Sequence, residues 1–523
     1  MSHTDSQPAA GVVAFGRLAV AFFGLILALI LFTCDGWEYA CKFSFAAHRQ
    51  LLFFALGAIS LFTLCFCTRI ATFYVAPRVR DPRRAWNVLV VPFCIALFAY
   101  QLVVVWGCWF KTDWDARALA TVDDPQSIAD YLSQNPNQRF LYGLFRAISF
   151  VGRLLGSPDT YLSLVVGSCL CVTLAVFFAA HAARGLRGIR AGVVTLVVLG
   201  LLAGASPWIL VPYSDTYGML CPAIGLWCYV CHKNRWQGWF GLGAVAVLGY
   251  AIKPTTIFIL AAALFVEMLT VPMRVARMRR EASGIALALR RTAPFAAALV
   301  AGVCLSLFVT NAVSSRQVQL NKELELSMTH YLMMGLNSQS MGVYNADDAL
   351  ASAACATSSE RSAMNVRVWK QRIHDLGPLG LLRLYHQKLL SAFSDGTFAW
   401  GIEGQFWIEL HGNCRALKAY YGIGNFNHED PNAQNGMWFE VLSQTLWIGC
   451  IAGVVLLGFS RRLDAATVVP MLAVCALALF LMVFETRARY VFLFAPYFCV
   501  LGVAGWSEVV DRVSAWLAAI ANE

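Results

Sequence analysis

The chain has 523 residues, 59% of them apolar and 13% charged, with a net charge of +10. Stretches of about 20 nearly uncharged residues recur along it, each long enough to cross a hydrocarbon core, which excludes an ordinary soluble domain. The charge does not mark a nucleic-acid binder, because the basic residues gather in short clusters between apolar runs: Arg69–Arg84, Arg184–Arg190, Lys233–Arg235, Arg274–Arg291 and Arg461–Arg462.

Clusters of that kind lie on the cytoplasmic side of a membrane. Keeping all five inside fixes the parity of the spans. The reading gives about twelve spanning helices, near 12–33, 50–68, 87–109, 159–182, 191–211, 216–232, 237–252, 256–272, 293–312, 438–459, 465–484 and 490–507, with both termini cytoplasmic. The first apolar run is long enough to span and has no cleavage-type ending, so it reads as a helix and not a signal peptide. Residues 1–86 carry two helices, 87–312 form a transmembrane core, 313–437 form an exterior segment, and 438–523 hold the last helices.

After the third span the chain runs "FKTDWDARALATVDDPQSIAD". Asp113 and Asp115 stand two residues apart directly beyond an apolar run, and the loop 110–158 lies outside. A carboxylate there could take a proton from a hydroxyl nucleophile, or Asp113 and Asp115 could share a divalent cation such as Mg or Mn through oxygen ligands. An ordinary solvated acidic loop explains the motif equally well. Next comes Phe140–Leu155, with Arg139, Arg146 and Arg153 spaced by seven and so on one helical face. Calling it a span would turn the Arg184 cluster outward, so it reads as a helix lying in the outer interface.

Further along, "VPYSDTYGML" puts Asp215 at the outer end of a span. The stretch Trp236–Met273 is too long for one helix and contains Lys253-Pro254. Proline breaks helix interiors, so two helices turn at an outer Lys253. "FETRARYVF" places Glu485, Arg487 and Arg489 at a third outer turn. Ionisable residues at membrane depth are costly and are usually functional or paired. Cations can grip a phosphate while a carboxylate deprotonates a hydroxyl acceptor.

The exterior segment shows helical patterns at Glu323–Leu336 and Leu379–Ser394. His330 there could be a base or ligand, although a structural histidine is the commoner case. "NHED" at 427–430 reads as a solvated turn. The 17 cysteines sit mainly in apolar runs and show no paired zinc spacing, while Cys355 and Cys414 share the exterior segment and could pair. No Walker-type phosphate loop occurs.

The arrangement of "FKTDWDARAL", "YLSQNPNQRFLYGLFRAISFVGRLLGSPDTYLSL", "YSDTYGML", "KPTTIF" and "ETRARYVFLFAP" resembles the GT-C superfamily of integral-membrane glycosyltransferases, which includes protein O-mannosyltransferases and the lipid A aminoarabinose transferase. The resemblance covers roughly residues 87–507. It implies an all-α polytopic fold with an exterior jaw helix, a polyprenyl-phosphate-linked sugar as donor, an exterior active site, and transfer to an envelope glycan, lipid or protein acceptor at the outer face of a bacterial plasma membrane. Asp115 or Asp113 matches the family's first-loop catalytic aspartate. Asp215 supports it, Lys253, Arg487 and Arg489 bind donor phosphate, and Glu485, His330 and Arg146 are further candidates. The two extra N-terminal helices and the insert at 313–437 depart from the family pattern. The competing class is a transporter, flippase or polymerase of lipid-linked polysaccharide, which should hide its ionisable residues at mid-membrane.

Overall fold

The computed structural model describes residues 9–34, 49–75, 81–120, 127–280, 284–314, 318–404, 406–424, 436–460 and 463–521. Among them the chain is helical almost throughout, and its β structure is one two-stranded sheet. Among the described residues, eight helices are long and apolar enough to cross a membrane: those within Ala10–Thr33, Gln50–Tyr74, Arg84–Cys108, Thr160–Arg187, Pro254–Val271, Thr292–Ser314, Met437–Phe459 and Ala465–Val483. Two shorter apolar helices, Ile189–Gly204 and Trp236–Ile252, join them. The protein is an all-α, multi-pass integral membrane protein. The two remaining predicted spans fall on Leu220–His232 and Ala495–Ile520, both helical.

Local chemistry sets the helix ends. Asp159 caps Thr160–Arg187, accepting from the Tyr161 and Leu162 amides at 2.7 and 3.3 Å, and Asp464 caps Ala465–Val483 through the Thr467 amide at 2.9 Å. A capping side chain supplies acceptors to first-turn amides that have no partner inside the helix. Trp236–Ile252 stops where expected. Lys253 precedes a proline and is driven into extended backbone, φ −148° and ψ 115°. Pro254 then opens a short 3-10 turn that leads into Phe258–Arg280.

The helices Met437–Leu456 and Ala495–Ile520 meet backbone to backbone. A Cβ at Gly505 would lie 1.8 Å from the Gly453 carbonyl oxygen, so only glycine fits. Small residues at such crossings let helices approach where lipid gives no hydrophobic drive. Trp447, Phe498 and Phe393 pack around the same contact.

The helix Arg139–Leu154 buries Phe140, Leu141 and Phe145, while Arg146, Phe150, Val151 and Leu154 stay exposed. A helix thus forms over the stretch read from sequence as interfacial. The three arginines do not act alike, however. Arg139 donates to the Ser314 carbonyl at 2.7 Å, one of the last acceptors of the helix Gly284–Ser314.

The segment between the spans is ordered by its own polar core. Arg361 is 1% exposed and donates to the carbonyls of Ser352, Glu323, Glu325 and Cys355. The predicted Glu323–Leu336 helix is broken: a 3-10 turn at Lys322–Leu324 precedes a helix at Met328–Gly335. The predicted Leu379–Ser394 helix is the second half of Ser358–Phe393, kinked at Gly377 (φ 57°) before Pro378. Cys355 and Cys414 are both free thiols, and Cys414 packs against Gly107. The NHED stretch and Arg461–Arg462 lie outside the described residues.

Charge collects at two opposite levels of the bundle. At one, Arg69 and Arg190 converge on Asp511, and Arg184 lies over Trp86. At the other, the loops after Cys108, Leu210, Ile252 and Val483 come together.

Candidate functional site

The first loop is held by a distant partner. Strand β1, Phe110–Thr112, pairs antiparallel with β2, Trp407–Leu410, with Phe110 opposite Leu410 and Lys111 opposite Glu409. Lys111 bonds to Asp159 at 3.0 Å and to Glu409 at 3.1 Å, and the Asp113 amide donates to the Phe406 carbonyl at 2.6 Å. This anchoring turns the two aspartates apart. Asp113 is exposed and faces Arg117 at 3.5 Å. Asp115 opens the short helix Asp115–Ala120 and faces inward, accepting from the Tyr213 hydroxyl at 2.8 Å. Tyr213 in turn accepts from Gln138 at 3.2 Å. Burial and the neighbouring Asp115 charge push the Tyr213 phenol well above its ordinary range, so it stays a donor.

Asp215 sits on the one-turn helix Ser214–Gly218, buried to 2% exposure, and its Oδ1 is bound by the Lys253 ammonium. Burial pulls Lys253 below its usual range, and Asp215 opposes that pull. Arg489 Nε lies 3.8 Å from Asp215 Oδ2 and 2.9 Å from Glu403 Oε2. Its guanidinium stacks 4.5 Å over Trp114 and 5.2 Å over Tyr213, an arrangement suited to a planar, weakly hydrated cation. Trp114 packs edge-on against Tyr213 at 4.8 Å. Lys253 lies 3.9 Å over the Tyr490 ring. Arg487 completes the chain of charge, with Nε 2.7 Å from Glu485 and Nη1 3.1 Å from Glu403. Although burial disfavours their charge, Glu403 and the other carboxylates hold both guanidinium groups above the ordinary arginine range. Among the described residues, Arg489 Nε is buried with no well-aligned hydrogen bond.

Asp115, Asp215, Lys253, Arg487, Arg489 and Glu485 therefore stand in one continuous cluster. Asp113 does not join it: it lies just past β1, exposed beside Arg117, whereas the chain turns at Trp114 into the helix that Asp115 opens. Arg146 stands exposed on the Arg139–Leu154 helix and takes part in none of the cluster's bonds. His330 is buried at 3% exposure, with Nδ1 2.8 Å from Ser352 Oγ, while Ser352 donates to Asn365 at 2.8 Å. Burial pulls its imidazole below the usual range, and its contacts are those of the insert's own core. Asp113 and Asp115 turn to different partners, and among the described residues no group of three or more His, Cys, Asp or Glu stands ready to hold a metal ion. This donor set does not fit a shared divalent cation.

The sequence reading left out Glu403, Tyr213, Tyr490 and Gln138. Glu403 was detectable as a lone acid in the apolar, aromatic run "FAWGIEGQFW", the same signal that marked Asp215. Its position depends on an unusual turn. Phe398 and Ala399 both have left-handed backbone, φ 56° and 62°. Such conformations persist only where the surroundings enforce them. Here the buried Asp395 does so, accepting from the Thr397 amide and hydroxyl and from the Ala399 amide at 2.7–2.8 Å. Trp208 clamps the Thr397 carbonyl at 3.0 Å.

A family model described as conserved hypothetical integral membrane protein matches residues 42–510. No curated protein and no solved structure matches the chain.

Proposed function

The chain belongs to the conserved hypothetical integral membrane protein family, and from that premise we propose that it is a membrane glycosyltransferase. In this reading a sugar moves from a polyprenyl-phosphate donor to a hydroxyl of an envelope glycan, lipid or protein acceptor. The fold is GT-C-like with about twelve spans. The level bearing Arg69, Arg184 and Arg190 is cytoplasmic, as are both termini, and the site faces outward from a bacterial plasma membrane.

One observation carries the reading: two carboxylates, Asp115 and Asp215, and three cations from four separate loops converge at the helix ends, beside an amphipathic helix. Buried charge of this kind is expensive unless it serves a reaction or a partner. Asp115 accepts the acceptor hydroxyl's proton as that oxygen attacks the anomeric carbon. The bond from that carbon to phosphate oxygen breaks, its electrons leave on polyprenyl phosphate, and the configuration inverts. Tyr213 holds one Asp115 oxygen and leaves the other for the acceptor. Arg489, Arg487 and Lys253 offset the charge that grows on the leaving phosphate. Asp215 keeps Lys253 and Arg489 in place. A transporter reading would put the ionisable groups at mid-membrane, whereas here they end the helices.

The test is transfer by purified protein in lipid, given polyprenyl-phosphate sugars and envelope acceptors. Transfer that is lost in Asp115→Asn supports the proposal. Donor movement across liposomes with neither hydrolysis nor transfer overturns it.

A further inference from the structure

The cluster holds four carboxylates, Asp115, Asp215, Glu403 and Glu485, against three cations, Lys253, Arg487 and Arg489. A donor phosphate brings at least one more negative charge into a largely desolvated place. Like charges there repel more strongly than in water, so a carboxylate must give up its position. Two of the four are tied to something besides the arginine pair, and a third, Glu485, among the described residues meets Arg487 alone at 2.7 Å. Asp215 holds Lys253, and Asp115 holds the Tyr213 hydroxyl.

Glu403 differs. Among the described residues, its Oε2 pairs with the two guanidinium groups alone, at 3.1 Å from Arg487 and 2.9 Å from Arg489. It ends a one-turn helix next to Gly404, beyond the left-handed pair Phe398 and Ala399. Two guanidiniums converging on one anionic oxygen is how a phosphate oxygen is held. Building on the glycosyl-transfer reading, we propose that Glu403 is a resident anion occupying the donor phosphate's place between Arg487 and Arg489, and that the donor binds by displacing it. β2 begins four residues after Glu403 and pairs with the strand that leads into Asp115. Departure of Glu403 is thereby felt in the loop carrying the base, which couples donor arrival to base placement.

The experiment measures binding of undecaprenyl phosphate to the full-length protein in nanodiscs, for wild type, Glu403→Gln and Glu403→Asp, alongside thermal unfolding and steady-state kinetics. Removing the competing charge should tighten phosphate binding roughly tenfold in Glu403→Gln. Glu403→Asp, one methylene shorter, should give a smaller gain. The donor KM should fall while kcat falls or stays level, a split that loss of a merely structural contact does not produce. If Glu403→Gln does not fold, Glu403→Asp alone decides. Wild type that binds undecaprenyl phosphate, with folded variants that bind it no tighter, overturns this inference and leaves glycosyl transfer standing. Wild type that takes up none overturns both.

Discussion

Two knots of charge close the bundle at opposite levels, and they differ in solvation. Around Asp511, the side chains of Arg69, Arg190 and Asp511 are 35%, 30% and 44% exposed. Around Asp215, the side chains of Lys253, Asp215, Glu403 and Arg489 are 11%, 3%, 8% and 6% exposed. Exposed ion pairs contribute little, because water solvates the separated charges nearly as well. Buried ones depend on mutual neutralisation, and losing one partner leaves a charge with no solvent. The first knot suits a membrane surface that needs only a sign. The second maintains a geometry at a cost that the exposed knot avoids, and that cost is the physical case for function.

The largest effect that sharpens this contrast is catalytic. Asp115→Asn should lower transfer turnover about 10²–10⁴-fold with donor affinity nearly unchanged, as steady-state and equilibrium binding assays would show. Asp113→Asn should leave turnover close to wild type, since Asp113 faces solvent and Arg117. The reverse outcome would move the base two residues upstream.

Next is stability. Lys253→Met strands Asp215 and should cost about 3–5 kcal/mol, read by chemical or thermal unfolding in detergent. A loss no greater than that of a surface pair would remove the distinction between the two knots.

Arg489→Ala should weaken donor-phosphate binding about tenfold while changing acceptor KM little. Equal losses for donor and acceptor would recast Arg489 as a packing residue held by Trp114 and Tyr213. The smallest effect belongs to the exposed knot, where Asp511→Asn should cost about 0.2–1 kcal/mol and leave transfer unaffected. A loss of transfer there would mean the two levels are coupled.

Much of this is legible in the sequence. Hydropathy and the basic clusters located the helices, because an apolar run of sufficient length has one favourable solvent. The Lys253-Pro254 turn followed from proline's restriction of its neighbour. Asp215, Lys253, Arg487 and Arg489 stood out because charge inside apolar sequence needs a reason. Glu403 met the same criterion but lay in a hydrophilic segment, where one more acid attracts no notice. His330 and Arg146 fitted a pattern of residue type without the contacts that would place them in the cluster.

The sequence by itself determined that this chain lies in a membrane, which stretches are apolar, and which ionisable residues sit at their ends, since those properties depend on local composition and solvent. It could not choose between Asp113 and Asp115. Which of the two faces the cluster depends on the turn from β1, anchored by β2 almost 300 residues away, into the helix that Asp115 opens, because that change of backbone ends the strand alternation that would keep the two on one side. Only the tertiary structure brought Glu403 between two arginines, through a left-handed turn stabilised by the buried Asp395. A conformation that is locally unfavourable leaves no local signal, and it exists here because distant residues hold it in place.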